Sequence, residues 1–509
     1  MGVRTDAGRT PAGHGNAIRS PGARIAAACA RLPAWAPLLG VGAFYVLLTL
    51  VVVQRGFLEY NADGYTRIIR GYEWLQQPRW EVGVWLPGQT WLFGVALWLH
   101  DSVRTTPRVV NLLLSLVTLV ALYQIGATFA GRVAGLVAAG IAACFPWVVW
   151  FGVSGMSEPL FHAMLTLGLL GFARWCAGGG GRALLLYAGG LTLATTVRYE
   201  GWFYAAVAGP LLLALAWRSG RLRPVVAVSA ATPLLFPALW VQQWWQQFGE
   251  PFGFASETAE IKAALDAENA GAGLVRRLTV YPEETARLAP WLALLCLAAV
   301  VYALYRRVPW WPYIALVGGQ AALLVAVSAG YSNLGPGAER YLLSNFILCF
   351  PILGAALVLL PRRPLHVAGG LALLVVLTRL LPTLLDPPTT YPDADVRAAA
   401  ERSADWLARY DAPLPDPLIP VLLPAAPAEG FNASYAFRIL SHHPDDWFFT
   451  SDPHLFAALT TSGRAPFWVL DTSTDSSAPP AAHSEQVGRF LLGVPLGQEA
   501  VQTSAASSP

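Results

Sequence analysis

The amino-acid sequence predicts an all-α polytopic membrane protein with a small extracytoplasmic α/β domain at its C-terminal end. Three observations lead there. Of 509 residues, 55% are hydrophobic and 13% charged, against about 25% charged in an ordinary soluble domain. The apolar residues come in blocks of roughly 16 to 24, enough at about 1.5 Å per residue to cross a hydrocarbon core of about 30 Å. Arginines collect in every second short connection between blocks.

Residues 1–33 are rich in Gly, Ala and Pro and carry Arg4, Arg9, Arg19, Arg24 and Arg31 against a single acid, Asp6. They read as a disordered, solvated basic tail. The block at 34–54 is longer than a signal-peptide core and no small-residue cleavage site follows it, so it reads as the first span. Further spans fall near 108–130, 133–153, 159–176, 182–197, 201–217, 224–245, 289–305, 310–330, 341–360 and 364–382, about eleven in all. With the N-terminus inside, the inner loops hold Arg132, then Arg182, then Arg218, Arg221 and Arg223, then Arg306 and Arg307, then Arg362 and Arg363, and no Asp or Glu. Lys and Arg resist translocation, so these loops are expected on the cytoplasmic side.

The opposite connections, 55–107, 246–288 and everything after 383, are longer and carry the acids. Making a span of Trp85 to Leu99 would reverse the charge pattern of every later loop. That aromatic helix is therefore expected to lie in the outer interface, starting at Leu86-Pro87-Gly88 because proline suits a helix N-terminus. Past Pro382 the composition changes. Residues 383–495 read as a small outward-facing domain with a helix near 394–410 and strands near 418–423 and 466–471. Residues 496–509, rich in Ser and Ala, read as a disordered tail. The transmembrane body is thus 34–382, in the plasma (cytoplasmic) membrane.

Some functions are excluded at this level. The net charge is only +3 and no basic stripe interleaves with aromatics, so no nucleic-acid partner is expected. Cys29, Cys144, Cys176, Cys296 and Cys349 form no disulfide framework and no zinc spacing. Asp393-Ala394-Asp395 has the acid-x-acid form of nucleotide-sugar enzymes but sits at a helix start with no nucleotide-binding sheet around it. His442-His443 with Asp445-Asp446 reads as a turn around Pro444. Asn432-Ala433-Ser434 is a formal glycosylation sequon, and the Gly178 to Gly181 run is a flexible inner turn.

Ionisable groups beside apolar spans are costly, so their positions carry information. Here they gather at one membrane face: Asp63 shortly after the first span, Glu158 in Ser157-Glu158-Pro159, Arg198 and Glu200 in an outer hairpin, and Arg340-Tyr341 at the start of the tenth span. Together they describe a polar cavity. Each also has a structural reading. Asp63 suits the N-cap of a helix beginning at Gly64, Glu158-Pro159 suits a helix start, Arg198 and Glu200 suit a structural pair, and Arg340 suits an interfacial anchor.

The order and spacing of Asp63, Leu86-Pro87-Gly88, Ser157-Glu158-Pro159 and Arg340-Tyr341 with Pro351 ten residues on resemble the GT-C superfamily of polyprenyl-phosphate-sugar glycosyltransferases. The likeness is to the protein-mannosyltransferase and aminoarabinose-transferase branch, glycosyltransferase family 39-like, over residues 34–360. The chain departs from it in two places: Gly64 stands where many relatives have a second acid, and Leu-Pro-Gly stands where they have a double proline. The resemblance implies an inverting transfer of a sugar from a polyprenyl-phosphate carrier to an acceptor hydroxyl on a glycan, lipid or protein, at the outer face. It implies Asp63 as base, with Glu158 orienting the sugar or sharing a divalent Mg or Mn with Asp63. Arg340 and Arg198 become donor-phosphate contacts, and Tyr65, Glu200 and Tyr341 substrate contacts. The rival reading, a transporter or carrier-lipid flippase, calls for inverted repeats and interrupted helices with polar groups at the midplane, and the sequence shows neither.

Overall fold

A computed structural model describes residues 33, 35–80, 83–265, 273–330, 339–386, 391–392, 394–407, 421–423, 427–441, 447–449, 453–461, 468–472, 478 and 481–495. The basic tail before Pro33, Asp393, the His442 to Asp446 run and residues 496–509 lie outside the described residues.

The helices of the transmembrane body are α1 Ala36–Gln54, α2 Ala62–Gln76, α3 Gly88–Leu99, α4 Thr106–Ala130, α5 Arg132–Cys144, α6 Pro146–Phe151, α7 Glu158–Cys176, α8 Gly181–Thr195 and α9 Tyr199–Arg218. They continue as α10 Pro224–Ala231, α11 Leu235–Phe248, α12 Gly253–Leu265, α13 Leu274–Leu288, α14 Pro290–Tyr305, α15 Trp311–Gly330, α16 Glu339–Val358 and α17 Arg363–Leu385. Most exposed large side chains are Leu, Val and Trp on these helices, as lipid-facing surfaces require. The chain is a multi-pass membrane protein.

Length and composition give fewer clear spans than the sequence predicted. Among the described residues 7 helices are long and apolar enough to cross a membrane, or 8 counting a bent pair, against about eleven expected. The differences have local causes. The block at 133–153 is interrupted at Phe145, because Pro146 cannot donate to the turn before it, and it becomes α5 and α6. Helix α8 is only 15 residues long. Helix α7 has 19 residues but includes Glu158, His162 and Arg174. The span at 289–305 is α14, and α13 meets it at 110° across Ala289. Thus α13, with charges on one side and Val280, Tyr281 and Leu288 buried on the other, runs across the end of the bundle.

Two connections expected inside meet at one end of the bundle. Arg221 donates to the carbonyls of Trp175 at 3.0 Å and Gly179 at 2.8 Å, and its guanidinium lies over the Trp175 ring.

The C-terminal segment contains α18 Ala394–Leu407, α19 Pro427–Leu440, α20 Pro453–Thr461 and strands β1 Val421–Leu423, β2 Phe448–Phe449, β3 Trp468–Asp471, β4 Ala481–Val487 and β5 Phe490–Pro495. The strand order is β2-β1-β3-β5-β4, with the first three parallel and the last two joined antiparallel. Its core is continuous with the connection that follows α1. Val396, Ala399, Phe437, Trp447 and Phe490 pack in one cluster with Tyr65, Ile68, Ile69 and Tyr72 of α2 and Phe93 and Leu97 of α3. Asp395 accepts from the Arg489 backbone at 3.1 Å, tying α18 to the β4–β5 turn. Ser434 of the sequon is buried in α19.

The charge alternation of the loops makes a prediction about sidedness. In a protein lacking its native cysteines, Ser219→Cys and Ser484→Cys both place a thiol at an exposed position. An impermeant thiol reagent applied to intact cells is expected to label only the second. Equal labelling, or labelling of the first alone, would overturn the assignment of inner and outer ends.

Candidate functional site

Four helix N-termini converge at one end of the bundle. Asp63 lies in the first turn of α2, Glu158 opens α7, Arg198 caps α9 with Glu200 in its first turn, and Arg340 is the second residue of α16. Each start presents backbone N–H groups and the positive end of a helix dipole, which favours negative charge there. The acids answer that preference, and the arginines compensate the acids.

The side chains form a continuous ladder. Arg340 donates through Nη1 to Asp63 Oδ2 and through Nε to Glu158 Oε1, both at 2.7 Å. Arg198 donates through Nη1 to the same Glu158 oxygen at 2.7 Å. Its Nε and Nη2 go to Glu200 Oε1 at 2.9 and 2.7 Å. The Arg198 guanidinium also lies over the rings of Tyr341 and Phe161, 5.3 and 5.9 Å from their centroids.

Exposure divides the members. Glu158 is 1% exposed, Arg340 11% and Asp63 36%. Asp63 is thus the acid that solvent or a ligand reaches, and its Oδ1 makes no hydrogen bond among the described residues. Burial alone would raise the Asp63 carboxyl, but Arg340 and then Arg67 outweigh it and hold it below the usual carboxylate range.

Asp63 is not the helix cap. Asn61 takes that position, its Oδ1 accepting from the Asp63 backbone N–H at 3.1 Å. Helix α2 starts at Ala62 rather than Gly64, leaving the Asp63 carboxylate turned to Arg340. Tyr65, two residues on, is fully buried on another face, its ring 5.8 Å from Tyr391 and away from the ladder. Tyr341 touches Arg198, which fits a role in fixing that guanidinium.

The geometry does not fit a divalent ion shared by Asp63 and Glu158. The Arg340 guanidinium already bridges the two carboxylates, and among the described residues no group of three or more His, Cys, Asp or Glu could hold a metal.

Two residues near the ladder escaped the sequence reading. Arg67, one helical turn after Asp63, is 8% exposed, stacks on Trp85 at 4.6 Å, and has a buried Nε without a hydrogen-bond partner. Its i,i+4 spacing from Asp63 on one helix face is a signal the sequence does contain. Glu59 is fully buried, and burial pushes its carboxyl up to about 7 against the N–H groups of Gly155 and Tyr60 that stabilise its ionised form.

The Leu86-Pro87-Gly88 start has a packing reason. The Gly88 N–H donates to the Thr196 carbonyl at 2.9 Å, and a Cβ on Gly88 would collide with Thr196. Glycine at this place therefore lets α3 dock on the segment that carries Arg198.

No protein-family model matches the sequence, and no curated protein matches it. Solved structures do. ArnT from Cupriavidus metallidurans, bound to undecaprenyl phosphate, superposes over 91% of this chain and 99% of its own, with a TM-score of 0.58 and 13% identity. The apo oligosaccharyltransferase of Archaeoglobus fulgidus superposes over 86% of this chain and 69% of its own, with a TM-score of 0.51 and 11% identity. At these identities the likeness is one of fold: the chain shares the helical membrane architecture of these two proteins.

Glu158 holds two guanidiniums in a site closed to water, so removing it leaves buried positive charge uncompensated. Glu158→Ala is expected to cost about 3–5 kcal/mol of stability, read as a lowered melting temperature of the purified protein in detergent. An unchanged melting temperature would show that the ladder does not hold the helix starts together.

Proposed function

We propose that this protein is a membrane glycosyltransferase that moves a sugar from a polyprenyl-phosphate carrier to an acceptor hydroxyl at the extracytoplasmic face, with inversion. The catalytic unit is 34–382 and the domain at 383–495 covers its outer side. The observation that carries the reading is the ladder itself: an accessible carboxylate beside a shielded arginine where four helix N-termini meet.

Transfer from a sugar phosphate needs a base for the acceptor proton and cations for the departing phosphate. Asp63 takes the first role. Its Oδ1 is uncommitted and its neighbours keep it ionised at neutral pH. Arg340 takes the second. Its Nη2 makes no hydrogen bond among the described residues, and a guanidinium edge suits phosphate oxygens. Arg67, whose buried Nε has no hydrogen-bond partner among the described residues, adds a second cation from the α2 side. Arg198 has all three nitrogens on carboxylates, so it orients Glu158 and Glu200 rather than gripping phosphate directly.

Donor binding and basicity are linked in this arrangement. The donor phosphodiester, singly charged until the sugar departs, competes with Asp63 for the Arg340 guanidinium and adds negative charge nearby. Both effects raise the proton affinity of Asp63 when the acceptor must be deprotonated. No step is routed through a metal.

The test separates chemistry from folding. Asp63→Asn keeps the size of the side chain and removes its charge and basicity. Sugar transfer from a polyprenyl-phosphate donor by purified protein is expected to fall roughly 100-fold or more, with the melting temperature nearly retained. Transfer at the wild-type rate would remove Asp63 from the mechanism.

A further inference from the structure

A buried polar clamp lies beneath the ladder and uses none of its residues. The segment Ser154-Gly155-Met156-Ser157 leads into Glu158 without regular structure, and such a segment would leave backbone groups unpaired in a dry interior. Glu59 and Asn111 satisfy them. Glu59 Oε2 accepts from the Gly155 N–H at 2.6 Å, and its Oε1 accepts from the Tyr60 N–H at 2.9 Å. Asn111 Nδ2 donates to the Ser154 carbonyl at 2.6 Å and to the Met156 carbonyl at 2.9 Å. Both side chains are fully buried.

Close backbone contact makes the clamp rigid. A Cβ on Gly64 would collide with the Glu59 carboxylate, and a Cβ on Gly155 would collide with the Gly64 carbonyl. The Glu59 carboxylate therefore sits between α2 and the segment before α7, and its position fixes how near α2 approaches Glu158. Gly64 is needed for this contact. Arg108 supports the same connection by donating to the Leu58 carbonyl at 2.8 Å.

We propose that Glu59 and Asn111 are positioning residues: Glu59 holds the 154–157 segment against the start of α2 and Asn111 holds it against α4, and together they set the separation of Asp63 and Glu158 across Arg340. A carboxylate suits the Glu59 site because both oxygens must accept. An amide would present donors to a donor at one of the two N–H groups, and a buried unmatched donor is costly. The inference rests on the donor-phosphate reading of the ladder.

The experiment is a double-mutant cycle with undecaprenyl phosphate as probe, on the purified full chain. Glu59→Gln and Glu158→Gln are each expected to weaken its binding about tenfold or more, as loss of a hydrogen bond to a charged group does. The double variant is expected to bind within about threefold of the weaker single variant, because residues acting through one another are not additive. Amide exchange of residues 154–158 is expected to speed up in Glu59→Gln. If Glu59→Gln does not accumulate, Asn111→Ala enters the cycle in its place with the same expectations.

Multiplicative losses in the double variant, or unchanged binding and exchange in Glu59→Gln, would overturn the clamp. A wild-type protein that does not bind undecaprenyl phosphate would overturn the functional reading instead. Amide exchange would still decide the clamp, since unchanged protection of 154–158 refutes it with or without ligand.

Discussion

The Glu158 carboxylate receives two guanidiniums on one oxygen while almost wholly shielded from water. A charge in that position costs several kcal/mol unless it is paired, and a lone partner would itself be stranded. The ladder solves the problem by alternation, with Asp63, Arg340, Glu158, Arg198 and Glu200 each drawing on a neighbour of opposite sign. The partners come from α2, α16, α7 and the start of α9, separated by up to 277 residues along the chain. Their pairing therefore constrains how those helix starts converge. The convergence also collects helix-dipole ends and shielded arginines around one accessible carboxylate, the setting a phosphate-leaving transfer needs.

Helix α2 joins this site to the C-terminal α/β segment. One face presents Asp63 and Arg67 to the ladder, while Tyr65, Ile69 and Tyr72 pack with the C-terminal α/β segment. Arg438 of α19 pairs with Glu73 near the end of α2 at 2.8 Å. The C-terminal α/β segment thus packs on the helix that supplies the proposed base, so its displacement would move Asp63 relative to Arg340. Glu59 holds the other end of the helix against the segment before α7, and Asn111 holds that segment against α4.

Much of the site was legible because charges beside apolar spans are rare, and Asp63, Glu158, Arg198, Glu200 and Arg340 stand out against long runs of Leu, Val and Ala. The sequence could group them at one face but not pair them, since pairing depends on how four helix starts meet in space. Asn61 rather than Asp63 caps α2, a choice between neighbouring capping residues that local propensity does not decide. Arg67 was overlooked although its spacing places it on the face of Asp63. Glu59 gave less signal: its distant partner is the Gly155 backbone N–H, and no side-chain pattern announces it. Length and composition single out fewer clear spans among the described residues because hydropathy alone does not see a break, as at Phe145-Pro146, or a short helix, as α8. The order of elements and the α/β character of the C-terminal segment were readable from periodicity and composition.

The central claim is that Arg340 shares its guanidinium between Asp63 and a carrier phosphate. An electron cryomicroscopy map of the purified protein with undecaprenyl phosphate tests it directly. The account predicts phosphate density within hydrogen-bond distance of Arg340, on the side of Asp63 and Arg67, with the Arg340–Asp63 contact lengthened from 2.7 Å. Phosphate density elsewhere on the protein, with the ladder unchanged, would contradict it.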